Sequence, residues 1–123
     1  MSLQFTTNVK LLDAVTVDTT GEYTDVSERE TLSVQFTAAD ISSGNGVFTI
    51  EVSNDGVNFV TYNRLNDNLT NTNLQGDTRV GSVTLNSNTS KIYFFPNGDY
   101  FRYIRAKVDL TTDGTYSATL QAG

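Results

Sequence analysis

Hydrophobic and polar residues alternate along several short stretches of the chain. Residues 32–38 read LSVQFTA, in which every second residue is apolar. Because successive side chains of a β-strand point to opposite faces, this pattern predicts a strand with one buried face. The same alternation occurs in residues 48–52, 104–110 and 116–120. The inward positions form the predicted core: Leu32, Val34, Phe36, Ala38, Phe48, Ile50, Val52, Ile104, Ala106, Val108, Leu110, Tyr116, Ala118 and Leu120.

Eight stretches rich in β-branched and aromatic residues are predicted to be strands, and no long helical pattern interrupts them. They lie at residues 11–17, 31–38, 47–53, 58–65, 79–85, 91–95, 101–110 and 115–121. Asn, Asp, Gly and Ser separate these stretches, and Pro96, the single proline, is expected in a loop. This spacing is typical of an all-β fold, and the number of strands predicts one antiparallel, jelly-roll-like β-sandwich.

A chain of 123 residues is long enough for one hydrophobic core, so we expect a single domain. The predicted β-sandwich spans residues 11–123, and the weakly patterned residues 1–10 are a candidate N-terminal arm that becomes ordered against a neighbouring subunit. Two polar connections, the acidic residues 18–30 and the loop at residues 65–79, are further candidates for partner contact.

The composition argues against several classes of function. The chain has no cysteine and no histidine, which removes disulfides, the commonest general base and the commonest ligand of catalytic zinc. A net charge of −6 opposes nucleic-acid binding. No apolar run is long enough for a membrane span, and we expect no signal peptide and synthesis in a host cytoplasm.

No catalytic, cofactor or metal site is predicted, and we expect no enzymatic activity. Asp18, Glu22 and Asp25 are a possible calcium group, but their spacing matches no calcium loop, so an acidic solvated connection is favoured. Asp55 and Asp113 each precede glycine, and turn formation explains them better than metal binding. No pair of carboxylates is singled out for glycoside hydrolysis.

Aromatic residues concentrate around Pro96. By alternation, half of these rings face the core, and the others are available for a subunit interface or, less favoured, a carbohydrate groove. Arg102, Arg105 and Lys107 form the densest basic cluster, whose spacing along a strand predicts a solvated or interface face. The residues predicted to contact a partner or ligand are Tyr93, Phe95, Tyr100, Tyr103 and Arg105.

Residues 47–65, VFTIEVSNDGVNFVTYNRL, join an alternating stretch to a turn and a second aromatic stretch. Asn54, Asp55 and Gly56 suit a turn because they tolerate positive φ and because short polar side chains bond nearby amides. Phe59 is expected to return to the core. Residues 48–62, together with residues 100–108, YFRYIRAKV, and the closing stretch at residues 115–121, resemble discoidin-like, galactose-binding-type β-sandwiches.

The SNDG and RYIR patterns, in a small chain without cysteine, also resemble virion structural proteins of tailed bacteriophages, including head decoration proteins. This resemblance implies a non-enzymatic protein located in the virion. It would decorate or cement a capsid as a homo-oligomer and bind the major capsid protein or another virion protein. The alternative is a carbohydrate-binding module of a tail fibre or adhesin.

Overall fold

The alternating segments fold into two antiparallel sheets. The computed structural model describes residues 7–67, 79–96 and 98–123. Within them it contains these strands: β1 (Thr7–Val15), β2 (Thr19–Thr20), β3 (Thr24–Asp25), β4 (Leu32–Ala39), β5 (Asn45–Ser53), β6 (Val60–Thr61), β7 (Leu65–Asn66), β8 (Arg79–Val80), β9 (Val83–Leu85), β10 (Thr89–Phe94), β11 (Tyr103–Thr111) and β12 (Thr115–Ala122). In these ranges, no helix has the length and apolar character needed to cross a membrane.

The chain passes repeatedly between the two sheets. The first sheet has the order β1-β12-β4-β10-β7-β8, and the second has the order β2-β11-β5-β6, with β3 also pairing β11 and β9 also pairing β5. The first strand therefore pairs with the last, and β4 and β5 lie in opposite sheets although they are neighbours in sequence. We call the sheet that contains β12 sheet A and the sheet that contains β11 sheet B.

The all-β class is confirmed, but the described residues form twelve strands instead of eight. Residues 58–65 and 79–85 each supply one short strand to each sheet. The acidic connection contains β2 and β3, which were not predicted. Five of the twelve strands have only two residues, too few to show any alternation in the sequence.

The core lies between the two sheets. Of the fourteen core residues predicted, all are buried except Leu110, which is partly buried against the others. Phe48 of sheet B packs between two rings of sheet A, with centroids 4.6 Å from Phe36 and 5.9 Å from Tyr116. These contacts join the sheets into a sandwich and exclude water between them.

The turn at residues 54–59 connects β5 to β6, which pair as a hairpin. Asp55 Oδ1 accepts hydrogen bonds from the N–H groups of Val57 and Asn58, both at 2.8 Å, and Gly56 has a φ of +75°. The predicted turn chemistry of Asp55 and Gly56 is confirmed.

The predicted N-terminal arm and polar loop are described only in part. Residues 7–10 of the arm segment begin β1 and pair with β12. Residues 1–6, and residues 68–78 of the loop, lie outside the described residues.

Candidate interaction surface

The outer face of sheet B carries the side chains of β11 that alternate with the core. Ile104, Ala106 and Val108 are fully buried, so Tyr103, Arg105 and Lys107 face away from the core. Arg105 lies opposite Glu51 of β5 in the register of the sheet. Its Nε donates a hydrogen bond of 2.7 Å to Glu51 Oε1, and this charge-assisted bond fixes the guanidinium.

One aromatic ring contacts this guanidinium, and two further rings extend the aromatic group beside it. The Arg105 Cζ lies 3.9 Å from the centroid of the Phe59 ring, a cation–π contact. The Tyr23 ring lies 5.7 Å from Phe59 and 4.9 Å from Tyr103. We name Tyr23, Phe59, Tyr103 and Arg105 the aromatic–arginine surface. Its residues come from the acidic connection, the hairpin turn and β11.

The expectation that Phe59 returns to the core is wrong. Phe59 is only half-buried and lies on the outer face of sheet B, under Arg105. The hairpin connection leaves Tyr62, rather than Phe59, to enter the core, where its ring packs 4.9 Å from Phe95. The guanidinium covers the Phe59 ring, so the ring keeps an apolar and electrostatic contact without being buried in the core.

The five predicted contact residues do not form one group. Tyr93 and Phe95 belong to the core, with exposed fractions of 8% and 7%. Burial raises the pKa of the Tyr93 hydroxyl. Tyr103 and Arg105 lie together on the aromatic–arginine surface, and Tyr100 is 72% exposed. The rings of Tyr93 and Phe95 are therefore not accessible to a partner in this conformation.

Sequence reasoning did not find Tyr23. It lies in the acidic connection, where no alternation singles it out, and it is half exposed. Its position beside Phe59 and Tyr103 follows from the pairing of β3 with β11. An isolated aromatic residue within a polar stretch was the only signal in the sequence.

The cations around this surface have internal carboxylate partners. Arg102 lies 3.6 Å from Asp25, and Lys107 lies 3.9 Å from Asp109. Hydrogen bonds from Ser27, together with the charge of Arg102, lower the pKa of the Asp25 carboxyl. Such exposed pairs add little stability, but they leave the face close to neutral.

The acidic connection does not bring its carboxylates together. Asp18 accepts a hydrogen bond of 2.7 Å from the N–H of Leu110, whereas Asp25 bonds to Ser27 and Arg102. Across residues 7–67, 79–96 and 98–123, no group of three or more His, Cys, Asp or Glu residues is placed to hold a metal ion. The described residues thus give no support to the calcium alternative.

No protein-family model matches the chain, and no curated protein does. Among solved structures, it is similar to the SPBc2 prophage-derived protein YomS, with 19% identity and a TM-score of 0.64 over 98% of this chain and 96% of that chain. It is also similar to chains of infectious bursal disease virus, from the Gx strain (10% identity, TM-score 0.55) and from the VP2 subviral particle (8% identity, TM-score 0.53).

Those two matches cover 96% of this chain but 32% of each viral chain. At these identities the comparisons show a shared β-sandwich fold. The discoidin-like resemblance stays a prediction.

Proposed function

We propose that this protein is a non-enzymatic structural protein of a virion, and specifically a decoration or cement protein that binds the major capsid protein. The observation that carries this proposal is the match with the prophage-derived protein, which extends over nearly the whole of both chains. A match of that extent means that the two proteins share one complete sandwich rather than a fragment.

The strand order adds support. Strands β1, β12, β4 and β10 of sheet A face strands β2, β11, β5 and β6 of sheet B. The first strand of the chain pairs with the last, and the chain crosses repeatedly between the two sheets. We interpret this order as jelly-roll-like, an architecture that is common in viral capsid domains. The similarity to the two infectious bursal disease virus structures agrees with this interpretation.

The aromatic–arginine surface is the proposed contact with the capsid. Tyrosine and arginine are enriched among the residues that dominate binding energy at protein interfaces. Tyr23 is 51% exposed, and Val57 and Val60, which lie on either side of Phe59 in the chain, are also exposed apolar residues. The Phe59 ring is already held against Arg105, and the Tyr23 ring packs against Phe59 and Tyr103, so little side-chain entropy is lost on binding.

We also propose that the protein acts as a homo-oligomer, because repeated weak contacts on a symmetric shell add up through avidity. We also propose that the protein has no catalytic activity, because the chain contains neither histidine, the commonest general base, nor cysteine, a common nucleophile.

Co-sedimentation with virions tests the proposal. Particles are prepared from a strain whose copy of this gene is deleted, and purified protein is added back in known amounts. We expect saturable binding and a regular number of copies per particle. Tyr103→Ala and Arg105→Ala should each weaken binding about tenfold or more, whereas Thr84→Ala, an exposed residue of β9, should not change it.

Two results would contradict the proposal. The first is the absence of the native protein, by mass spectrometry, from virions of the undeleted strain. The second is that the Tyr103→Ala and Arg105→Ala variants bind particles as tightly as the wild type does. That result would show that the aromatic–arginine surface is not part of the interface. Native mass spectrometry of the free protein measures its oligomeric state.

A further inference from the structure

The outer face of sheet A differs chemically from that of sheet B. Cross-strand register places Phe94, Ser33, Gln121 and Asn8 side by side in one row across β10, β4, β12 and β1. Such neighbours point to the same side and lie within contact distance of one another. Four adjacent strands span roughly 14 Å at a spacing of about 4.8 Å.

A second row lies directly beside the first. Ile92, Gln35 and Thr119 are register partners across β10, β4 and β12, and Lys10 of β1 ends the row. None of the 14 acidic residues of the chain occupies either row. The first row continues past β10 to Asn66 of β7 and Arg79 of β8, so a cation ends each row. We name the seven uncharged residues that the two rows place on β1, β4, β10 and β12 the neutral face.

The neutral face is concave. Asn8, Ser33, Gln35, Ile92, Thr119 and Gln121 line a hollow of about 220 Å³. A second hollow of about 220 Å³ adjoins it, shares Ser33 and Gln121, and has the Phe94 ring in its wall. Each is smaller than a drug-sized pocket of about 300 Å³ or more, and together they form an elongated groove.

The polar side chains of the neutral face are not used within the protein. Among the described residues, no hydrogen bond is formed by the side chains of Asn8, Ser33, Gln35, Thr119 or Gln121. The next row along the sheet is different, because Thr37 Oγ1 and Ser90 Oγ are 2.9 Å apart and Ser117 Oγ accepts a bond from the N–H of Ala14. The free donors and acceptors therefore coincide with the hollows.

We infer that the neutral face binds an uncharged oligosaccharide. Amide and hydroxyl side chains both donate and accept hydrogen bonds, as sugar hydroxyls do. Ile92 and Phe94 along one side offer apolar contact to the C–H face of a sugar ring. No charged side chain lines either hollow, so the hollows themselves offer no side-chain partner to the charge of an acidic sugar.

A second copy of the chain fits this face less well than a sugar does. The centre of a protein interface is apolar and aromatic, and serine is depleted there. Only two of the seven residues of the neutral face, Ile92 and Phe94, are apolar, and both lie on β10. Pairing two such faces would bury many polar groups that need exact partners.

A glycan array with the intact protein tests this inference, with neutral hexose and N-acetylhexosamine oligosaccharides as probes and sialylated and sulfated ones for comparison. We expect binding to neutral members only, confirmed by calorimetry. Gln35→Ala and Gln121→Ala should each weaken binding about tenfold, since each removes hydrogen bonds to the ligand. Thr49→Ala, on the outer face of sheet B, is the matched control and should bind normally.

Circular dichroism of each variant checks that folding is retained. The inference is overturned if no neutral probe binds, or if charged probes bind equally well. It is also overturned if Tyr103→Ala, rather than Gln35→Ala, abolishes binding. Self-association that Gln121→Arg disrupts would assign the face to contact between copies and would equally overturn it. None of these outcomes depends on whether the protein is found in virions.

Discussion

Asp113 shows how one carboxylate orders a distant loop. Its oxygens accept hydrogen bonds from the hydroxyl of Ser42 and from the N–H groups of Ser42, Ser43 and Gly44, the last at 3.0 Å. These residues precede β5 and lie about 70 positions away in sequence. The bond from the Ser42 hydroxyl and those from the three amides hold the pKa of Asp113 below its usual range. The ionised carboxylate therefore stabilises the folded state.

The pH dependence of stability follows from this lowered pKa. A carboxyl with a lower pKa in the folded state stabilises the protein above its unfolded pKa, and this contribution is lost as the pH falls through the folded pKa. With a reference value of 3.8, Asp113 should contribute fully above about pH 5 and progressively less below it. We expect Asp113→Asn to lower the melting temperature at pH 7. At pH 2–3 the melting temperatures of the variant and the wild type should differ less than they do at pH 7.

Calorimetric melting curves of both proteins from pH 7 to pH 2 provide the measurement. Asp55, whose pKa is lowered by bonds from Asn58 and Val57, remains in both proteins and keeps part of the acid sensitivity. A constant difference between wild type and Asp113→Asn across this range would refute the role assigned to the ionised form.

Only part of the aromatic–arginine surface could be predicted from the sequence. Tyr103 and Arg105 were predicted because they sit on a strand whose alternation is visible in the sequence. Tyr23 was missed and Phe59 was misplaced because their environment depends on β3 pairing with β11 and on the path of the hairpin turn. Period two assigns a face only within a strand, and neither residue lies in one.

At the scale of elements, a close approach between β5 and β12 requires a glycine. A Cβ added at Gly46 would overlap the ring of Tyr116, with Cζ only 2.8 Å away. Tyr116 is fully buried against Phe48, and its hydroxyl donates a hydrogen bond of 2.9 Å to the Asp113 carbonyl. The ring cannot move without breaking that bond or displacing the core.

We therefore expect Gly46→Ala to destabilise the protein by about 1–3 kcal/mol, the usual cost of overpacking a core. Chemical denaturation at pH 7 measures this change. Ser82→Ala, an exposed residue next to β9, is a control that should stay close to wild type. An equal stability for Gly46→Ala would show that Tyr116 has room to shift.

A companion variant separates the ring of Tyr116 from its hydroxyl. Tyr116→Phe keeps the packing against Phe48 and removes only the bond to the Asp113 carbonyl. We expect a loss of about 1 kcal/mol, the typical net value of such a bond. The measurement is again chemical denaturation, and a loss well above this value would mean that the hydroxyl contributes more than one hydrogen bond does.

Long strands were predictable and short ones were not, for a physical reason. Four of the six strands of six or more residues, β4, β5, β11 and β12, bury several alternating positions, so the hydrophobic effect makes their alternation visible in the sequence. In contrast, β1 buries the adjacent Leu11 and Leu12, and β10 buries only Tyr93. Short strands such as β2 and β3 are held by backbone hydrogen bonds to β11 and need no apolar pattern. The division of residues 58–65 between two sheets depends on tertiary pairing that no local pattern records.

At the scale of the whole molecule, the two outer faces are chemically specialised. Sheet B carries rings and arginines whose charges are balanced internally, as in the pair formed by Arg105 and Glu51. Sheet A carries unpaired amides and hydroxyls, such as those of Gln35 and Gln121, in a groove. The planes of the two sheets are about 10 Å apart. The apolar core between the sheets separates the side chains on one outer face from those on the other.

This separation predicts that the two proposed activities are lost independently. Tyr103→Ala should reduce binding to virions and leave oligosaccharide binding intact, whereas Gln35→Ala should do the reverse. The double variant should show each defect at its single-variant size, because sites on opposite faces with no shared contacts contribute additively. Co-sedimentation and calorimetry on the same four proteins, wild type included, measure both quantities. Loss of both activities in either single variant, with folding retained, would mean that one surface serves both.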